Sequence, residues 1–215
     1  MNMLRIKCFA NRPIDENTYV VSDETREAVI VDCGALLPDD QQAIGDYIAA
    51  EGLKVVCHVL THGHFDHMFG AQWVADTYGC LPTLHAADGI FYLNAVEMVS
   101  AFFHKQMVFP VPRIGAYVAE GESIDFGSHS LRIIHTPGHT PGGCCLYCEA
   151  EGVLFSGDSL FCGSIGRTDM PGGDPRALMA SLRTKVLTLP DEVQVLPGHG
   201  PATTVGDEAV GNPYL

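Results

Sequence analysis

The sequence predicts an α/β protein in which two β-sheets pack face to face with helices outside. Three observations lead there. Short apolar runs alternate with helix-length segments along the chain, the order that layers helices on sheets. Each half closes on an apolar strand that runs into a histidine-bearing loop, residues 55–60 into THGHFDH and residues 193–196 into PGHG. No composition shift marks a linker within the 215 residues, a length that suits one domain, so residues 1–215 are expected to form a single unit.

The elements follow in order. Residues 4–9 mix apolar and polar side chains at period two, and residues 18–21 and 28–32 are short apolar runs separated by the polar turn SDETRE; all three read as strands. Leu37-Pro38-Asp39-Asp40 opens a helix to about Ala50, with Ala43, Ile44, Tyr47 and Ile48 on one side. Proline and acidic residues suit its first turn, and Gly52 ends it. Residues 55–60 form a buried strand and residues 68–78 a helix. Residues 86–108 are apolar and partly helical, and Pro110 and Pro112 stop them. Residues 131–134, 144–148 and 153–155 are strands, Asp174-Pro175 caps a helix to about Leu187, and residues 193–196 are the last strand.

Composition narrows the function classes. Twelve Lys and Arg against 26 Asp and Glu leave a formal charge of -14. That balance disfavours nucleic acid and anionic membrane surfaces, both of which need a positive footprint. No stretch is long and apolar enough for a membrane span, and MNMLRIKCFA lacks the apolar core and cleavage site of an export signal. A cytoplasmic protein is expected, with its eight cysteines as free thiols. Cys144, Cys145 and Cys148 in GGCCLYC resemble a metal knuckle, but a strand there sends Cys145 and Cys148 to opposite faces. They read as core thiols.

THGHFDH, directly after the buried strand 55–60, sets His62, His64, Asp66 and His67 close together. Imidazoles with a carboxylate suit zinc, iron or manganese. From a turn, His62 and His64 reach one ion, and Asp66 and His67 reach a second. His139 in HTPGHT, Asp158 in FSGDSLF and His199 in LPGHG each sit on a further loop, the places where binding residues concentrate. Asp66 and a bridging Asp158 supply two negative charges against two divalent ions. An added hydroxide leaves a modest positive charge for an anionic or carbonyl-bearing substrate. His58, inside a strand, reads as a packed group near the ligands, and His135 as either a donor to a ligand carboxylate or a structural residue. His85, His104 and His129 read as ordinary polar histidines. Asp32 is expected to satisfy loop N–H groups or to support a ligand histidine. Cys33 and Cys162 lie near these loops as oxidation-sensitive candidates, and Gly142-Gly143 and Gly172-Gly173 read as turns rather than phosphate cradles.

HGHFDH resembles the HxHxDH signature of the metallo-β-lactamase superfamily. Together with HTPGHT, GDSLF, IGRTD and LPGHG, nearly the whole chain is similar to its small glyoxalase II-like hydrolases. The resemblance implies an αββα sandwich of two mixed sheets flanked by helices. It implies His62, His64 and His139 on a first metal, Asp66, His67 and His199 on a second, and Asp158 bridging. Two divalent ions, zinc first and iron or manganese otherwise, would lower the pKa of bound water to ~7 and clamp a displacement. Asp66 and Asp158 are the expected catalytic carboxylates.

The activity so implied is hydrolysis of S-2-hydroxyacylglutathione thioesters of the S-lactoylglutathione type by a metal-bridging hydroxide. Zinc tolerates the leaving sulfur. Larger glyoxalase II enzymes grip glutathione with a C-terminal helical domain, and none is expected here. Arg167 in GRTD is then the basic group for substrate, or else it pairs with Asp169. The alternatives are a mononuclear iron persulfide dioxygenase using His62, His139 and Asp158, and a lactone or β-lactam hydrolase. A non-enzymatic assembly or RNA-binding scaffold is disfavoured by the full ligand set and the acidic charge. Residues 86–112 carry more aromatic surface than one helix buries, so Phe102 and Phe103 are expected to line a wall or lid over the metals, with Leu93 and Val108 in the core.

Overall fold

The computed structural model describes residues 4–215; Met1 to Met3, part of the segment read for an export signal, lie outside the described residues. The first sheet holds β1 (Arg5–Asn11), β2 (Glu16–Ser22), β3 (Glu27–Val31), β4 (Lys54–Val59), β5 (Pro82–His85) and β6 (Ala116–Val118), in that spatial order. β1 to β3 pair antiparallel and β3 to β6 parallel. The parallel half is made by crossovers through α1 (Pro38–Ala50), α2 (Ala71–Tyr78) and the pair α3 (Gly89–Leu93) and α4 (Ala95–Phe102). The second half supplies β7 (Ser123–Phe126), β8 (His129–His135), β9 (Cys144–Cys148), β10 (Val153–Gly157), the hairpin β11 (Leu160–Phe161) and β12 (Ser164–Ile165), then β13 (Gln194–Pro197) and β14 (Thr203–Thr204). Its sheet runs β14-β13-β10-β9-β8-β7 and is also mixed, β10 and β13 being parallel. α5 (Pro175–Ser181), continued by a π turn over Leu182–Val186, and α6 (Val205–Gly211) complete the chain.

Burial explains the layers. Tyr19, Val21, Val29 and Val31 of the first sheet meet Leu131, Ile133, Leu146 and Phe155 of the second in one core cluster. The opposite face of the first sheet, Val20, Ala28 and Ile30, is covered by Ile44 and Ile48 of α1 and Val74 of α2. The opposite face of the second sheet, Ile134, Cys145 and Leu154, is covered by Leu178, Leu182 and Val186. Each Val, Leu, Ile or Phe among them contributes about 1.5–3 kcal/mol on burial. The result is the αββα sandwich of two mixed sheets flanked by helices. The CCLYC strand alternates as its sequence implies: Cys144, Leu146 and Cys148 face the other sheet, while Cys145 and Tyr147 face the helices.

β5, β6, β7, β14 and α6 carry too little periodic signal to be read from sequence. β5 and β6 are four and three residues long and start from a proline and an exposed alanine. No helix among the described residues is long and apolar enough to cross a membrane.

His129, expected to be an ordinary polar side chain, is buried instead. Its Nδ1 lies 3.0 Å from Asp23 Oδ2 and its Nε2 3.4 Å from Glu151 Oε1, so it joins the start of β8 to the turn after β2. Burial alone would lower the imidazole pKa, but its hydrogen bonds to Asp23 and Glu151 outweigh it and raise the pKa. For Asp23 the balance also favours the charged form: hydrogen bonds from Ser128, Thr25 and His129 overcome burial and hold its pKa far below the usual range. A raised histidine pKa stabilises the fold below the unfolded value of ~6.5 and loses that contribution as pH rises through the folded value. A lowered carboxylate pKa contributes above ~3.9 and is lost as pH falls. The clamp is therefore strongest between about pH 4 and 6.5. His129→Gln is expected to cost about 2 kcal/mol at pH 6 and less at pH 8.5 in urea unfolding; a cost that does not change between the two pH values would contradict a charged clamp.

Candidate metal centre

The loop after β4 is shaped from below by Asp32. Asp32 Oδ1 accepts a hydrogen bond from Thr61 N at 2.7 Å, and Oδ2 accepts from Thr61 Oγ1 at 2.8 Å. His67 Nδ1 lies 2.9 Å from the same Oδ2. Both roles expected of Asp32, holding loop N–H groups and supporting a histidine, are met by this one carboxylate. His67 sits at the end of the 3₁₀ turn Phe65–His67, and with Nδ1 engaged its Nε2 faces the opposite way. His62 Nδ1 pairs likewise with Thr61 Oγ1 at 3.1 Å, and His139 Nδ1 donates to the Arg167 carbonyl at 2.7 Å. Such contacts fix the tautomer and turn the other ring nitrogen to the site.

These rings converge. His62, His64 and His139 form one group of potential ligand atoms within 4.8 Å of one another, and Asp66, His67 and His199 form a second. Asp158 spans them: Oδ1 is 3.3 Å from His67 Nε2, and Oδ2 is 3.5 Å from His139 Nε2 and 3.9 Å from His199 Nε2. Asp66 Oδ2 is 3.5 Å from His199 Nε2. The chain therefore brings together every side chain that the sequence nominated as a ligand, on loops from both sheets. Gly198 lets the β13 loop in, since a Cβ there would stand 2.6 Å from His67 Cε1.

The donor set fits a pair of divalent cations. His67 Nε2, His139 Nε2 and Asp158 Oδ1 are buried without any hydrogen-bond partner, a costly state for polar atoms unless a cation takes their lone pairs. His62 Nε2 and His64 Nδ1 lie 3.2 Å apart, two acceptors facing one point. Burial pushes His62 down and His64 down to about 3, so both rings are neutral, the form that ligates. Desolvation would raise the Asp158 carboxyl, but His67 first and then His139 outweigh it and hold the group well below the usual carboxylate range. Imidazoles with carboxylates suit zinc, iron and manganese alike.

A cavity of about 310 Å³ opens over His64, Asp66, His139, Asp158 and His199, walled by Ile14, Phe65, Phe102, Phe161, Arg167 and Met170. Phe102 thus reaches the metal-side cavity, whereas Phe103 faces a separate hollow beside Leu36, Phe69 and Met107. Leu93 and Val108, expected in the core, are 65% and 81% exposed, while Tyr92, Ala95, Val99 and Phe109 fill that core. The pairing alternative for Arg167 is the one observed, its guanidinium gripping Asp169 at 2.7 and 2.9 Å at the edge of the cavity. His58 is fully buried with neither ring nitrogen hydrogen-bonded, and burial lowers its pKa to about 3; it supports no ligand. His135 Nε2 donates to the Pro141 carbonyl at 2.9 Å, the structural alternative. Cys33 is buried and Cys162 exposed.

Two carboxylates close to the centre escaped sequence reading. Glu16 Oε2 accepts from Asn11 Nδ2, Thr18 Oγ1 and Gly34 N, each at 2.9 Å, and burial pushes its pKa up to about 8. It clusters with Asp32 and His67. In the sequence Glu16 follows Asp15 and precedes the polar Asn17 and Thr18, so nothing there sets it apart from a turn acid. Asp88 is fully buried beside the His62–His64 turn, and nothing in LHAADGIF distinguishes it from a surface acid.

Residues 11–199 match the family described as the metallo-beta-lactamase superfamily. The crystal structure of BLEG-1 B3 metallo-beta-lactamase superposes with a TM-score of 0.89 at 37% identity, covering 99% of each chain. TTHA1623, crystallised in a di-iron-bound form, gives 0.85 at 36% identity over 97% of this chain and 100% of its own. Hydroxyacylglutathione hydrolase GloC of Haemophilus influenzae is 32% identical, covering 93% of this chain and 92% of GloC.

Proposed function

We propose, from the premise that this chain belongs to the metallo-β-lactamase superfamily, that it is a dinuclear metal-dependent hydrolase that adds water to the acyl carbon of a thioester of the S-2-hydroxyacylglutathione type. The observation that supports a two-ion hydrolase is the meeting of both ligand groups at Asp158 beneath one cavity. His62, His64 and His139 would hold one ion, Asp66, His67 and His199 the other, and Asp158 both. When bound, such a pair supplies Lewis acidity and ionises water near neutral pH. Asp66, at the cavity wall, orients the attacking water and accepts its proton. Ile14, Phe65, Phe102, Phe161 and Met170 bind the acyl chain and exclude bulk water. Arg167 offers charge to a substrate carboxylate, in competition with Asp169.

β-Lactam or lactone opening is the second reading, and the comparisons favour it more than the thioester. A protein described as a B3 β-lactamase shares 37% of residues with this chain, against 32% for the one named as a glutathione thioester hydrolase. The wall is mostly apolar with one paired cation, which suits a compact acyl group better than a peptide that carries two carboxylates. Metal analysis with a panel of glutathione thioesters, lactones and β-lactams decides. Two ions per chain and preferred thioester turnover uphold the proposal, and preferred ring opening transfers it to the second reading. A single iron with oxygen consumption on glutathione persulfide overturns both.

Phe102→Ala is expected to change relative kcat/KM across the acyl panel by about tenfold while metal content stays constant. Phe103→Ala, which opens the neighbouring hollow, is expected to leave that ratio alone. Equal losses on all substrates with a lower Tm would make Phe102 a packing residue only.

A further inference from the structure

Asp88 lies just before α3, in the short 3₁₀ turn Ala86–Asp88, and belongs to neither ligand group. Its side chain is 0% exposed and spends all its acceptor contacts on two loops. Oδ2 accepts from Gly63 N at 2.8 Å, between His62 and His64. The same oxygen accepts from Thr140 Oγ1 at 2.7 Å, next to His139. Oδ1 accepts from Gly142 N at 2.6 Å. One buried carboxylate therefore joins the turn carrying two histidines of the first group to the loop carrying the third. The fit is close: a Cβ on Gly142 would stand 2.7 Å from the Asp88 side chain, and one on Gly63 2.9 Å from the Asp88 carbonyl.

The turn that presents Asp88 is itself anchored. His85 Nδ1 accepts from Ala87 N at 3.3 Å, and its ring stacks at 4.0 Å on His135, whose Nε2 donates to the Pro141 carbonyl. Both ends of the HTPGHT loop are thus tied to the segment 85–88.

We infer that Asp88 is a positioning residue for the first metal, a clamp that holds His62, His64 and His139 at their mutual spacing. This rests on the two-ion reading proposed above. The clamp touches no part of the second group, so its loss separates the two sites. Donors to a carboxylate from two backbone N–H groups and a hydroxyl are charge-assisted. An amide in its place keeps the volume and sets one N–H₂ against a donor.

Zinc affinity, measured against a chromogenic chelator, tests this in two single-site backgrounds. In His199→Ala, where the first group remains intact, adding Asp88→Asn is expected to weaken the bound zinc by about tenfold or more. In His139→Ala, where the second group remains intact, the same change is expected to move affinity less than about threefold, well below a ligand-support effect. Thr140→Val, which removes one contact of the three, is expected to give a smaller loss with the same site preference, and it decides the matter should Asp88→Asn fail to fold. Equal weakening in both backgrounds, or none in the first, overturns the clamp. Failure of both parent single-site proteins to hold zinc at all overturns the two-ion reading and the clamp with it.

Discussion

Asp158→Ala is expected to leave less than one metal ion per chain after dialysis and to lower kcat/KM by about 10³-fold or more, since even one lost stabilising donor costs 10²–10³. The carboxylate is the side chain that stands within 3.9 Å of histidines from both groups. Its removal takes a charge from each site and leaves His67 facing Asp32 alone. Elemental analysis beside a hydrolysis assay measures both effects. Two ions retained per chain would show that Asp158 bridges nothing.

His199→Ala is expected to be nearly as severe for turnover, about 10²-fold or more, but milder for metal. His62, His64 and His139 remain complete, so one ion per chain should survive. His199 is also a cavity-wall residue and the partner of Asp66, so its loss frees the group proposed to orient water. Wild-type turnover with a single bound ion would refute a two-ion mechanism while sparing the first site.

The ligands were legible because their signal is local. Each candidate sits on a loop that follows a strand, and HGHFDH packs four of them into one turn. The sandwich was legible for a similar reason: the strands that build its centre, such as 28–31 and 144–148, are buried and strongly apolar. β5 and β6 were not, because such short parallel strands take their stability from neighbours rather than from pattern. Asp88, Glu16 and the Arg167 carbonyl were hidden for a deeper reason. Asp88 meets partners 25 to 54 residues away, Glu16 reaches Gly34 18 residues away, and the Arg167 carbonyl meets His139 28 residues away, and no periodicity encodes contacts of that range. In the segment 86–112 the sequence showed an excess of aromatics, but only the folded chain, with Phe65 against both rings, sets Phe102 in the cavity and Phe103 on the neighbouring hollow.

His62, His64, Asp66 and His67 hang from the first sheet, and His139, Asp158 and His199 from the second. An ion bound among them is a cross-link between two halves of the chain. Folding free energy then grows with free metal, by about 2.7 kcal/mol for each site at a hundred times its Kd. A chain made under metal starvation samples its unfolded state more often and meets proteases more often. The metal-loaded protein is then expected to melt at a higher Tm than the chelator-treated one, a shift that thermal unfolding with and without added metal measures.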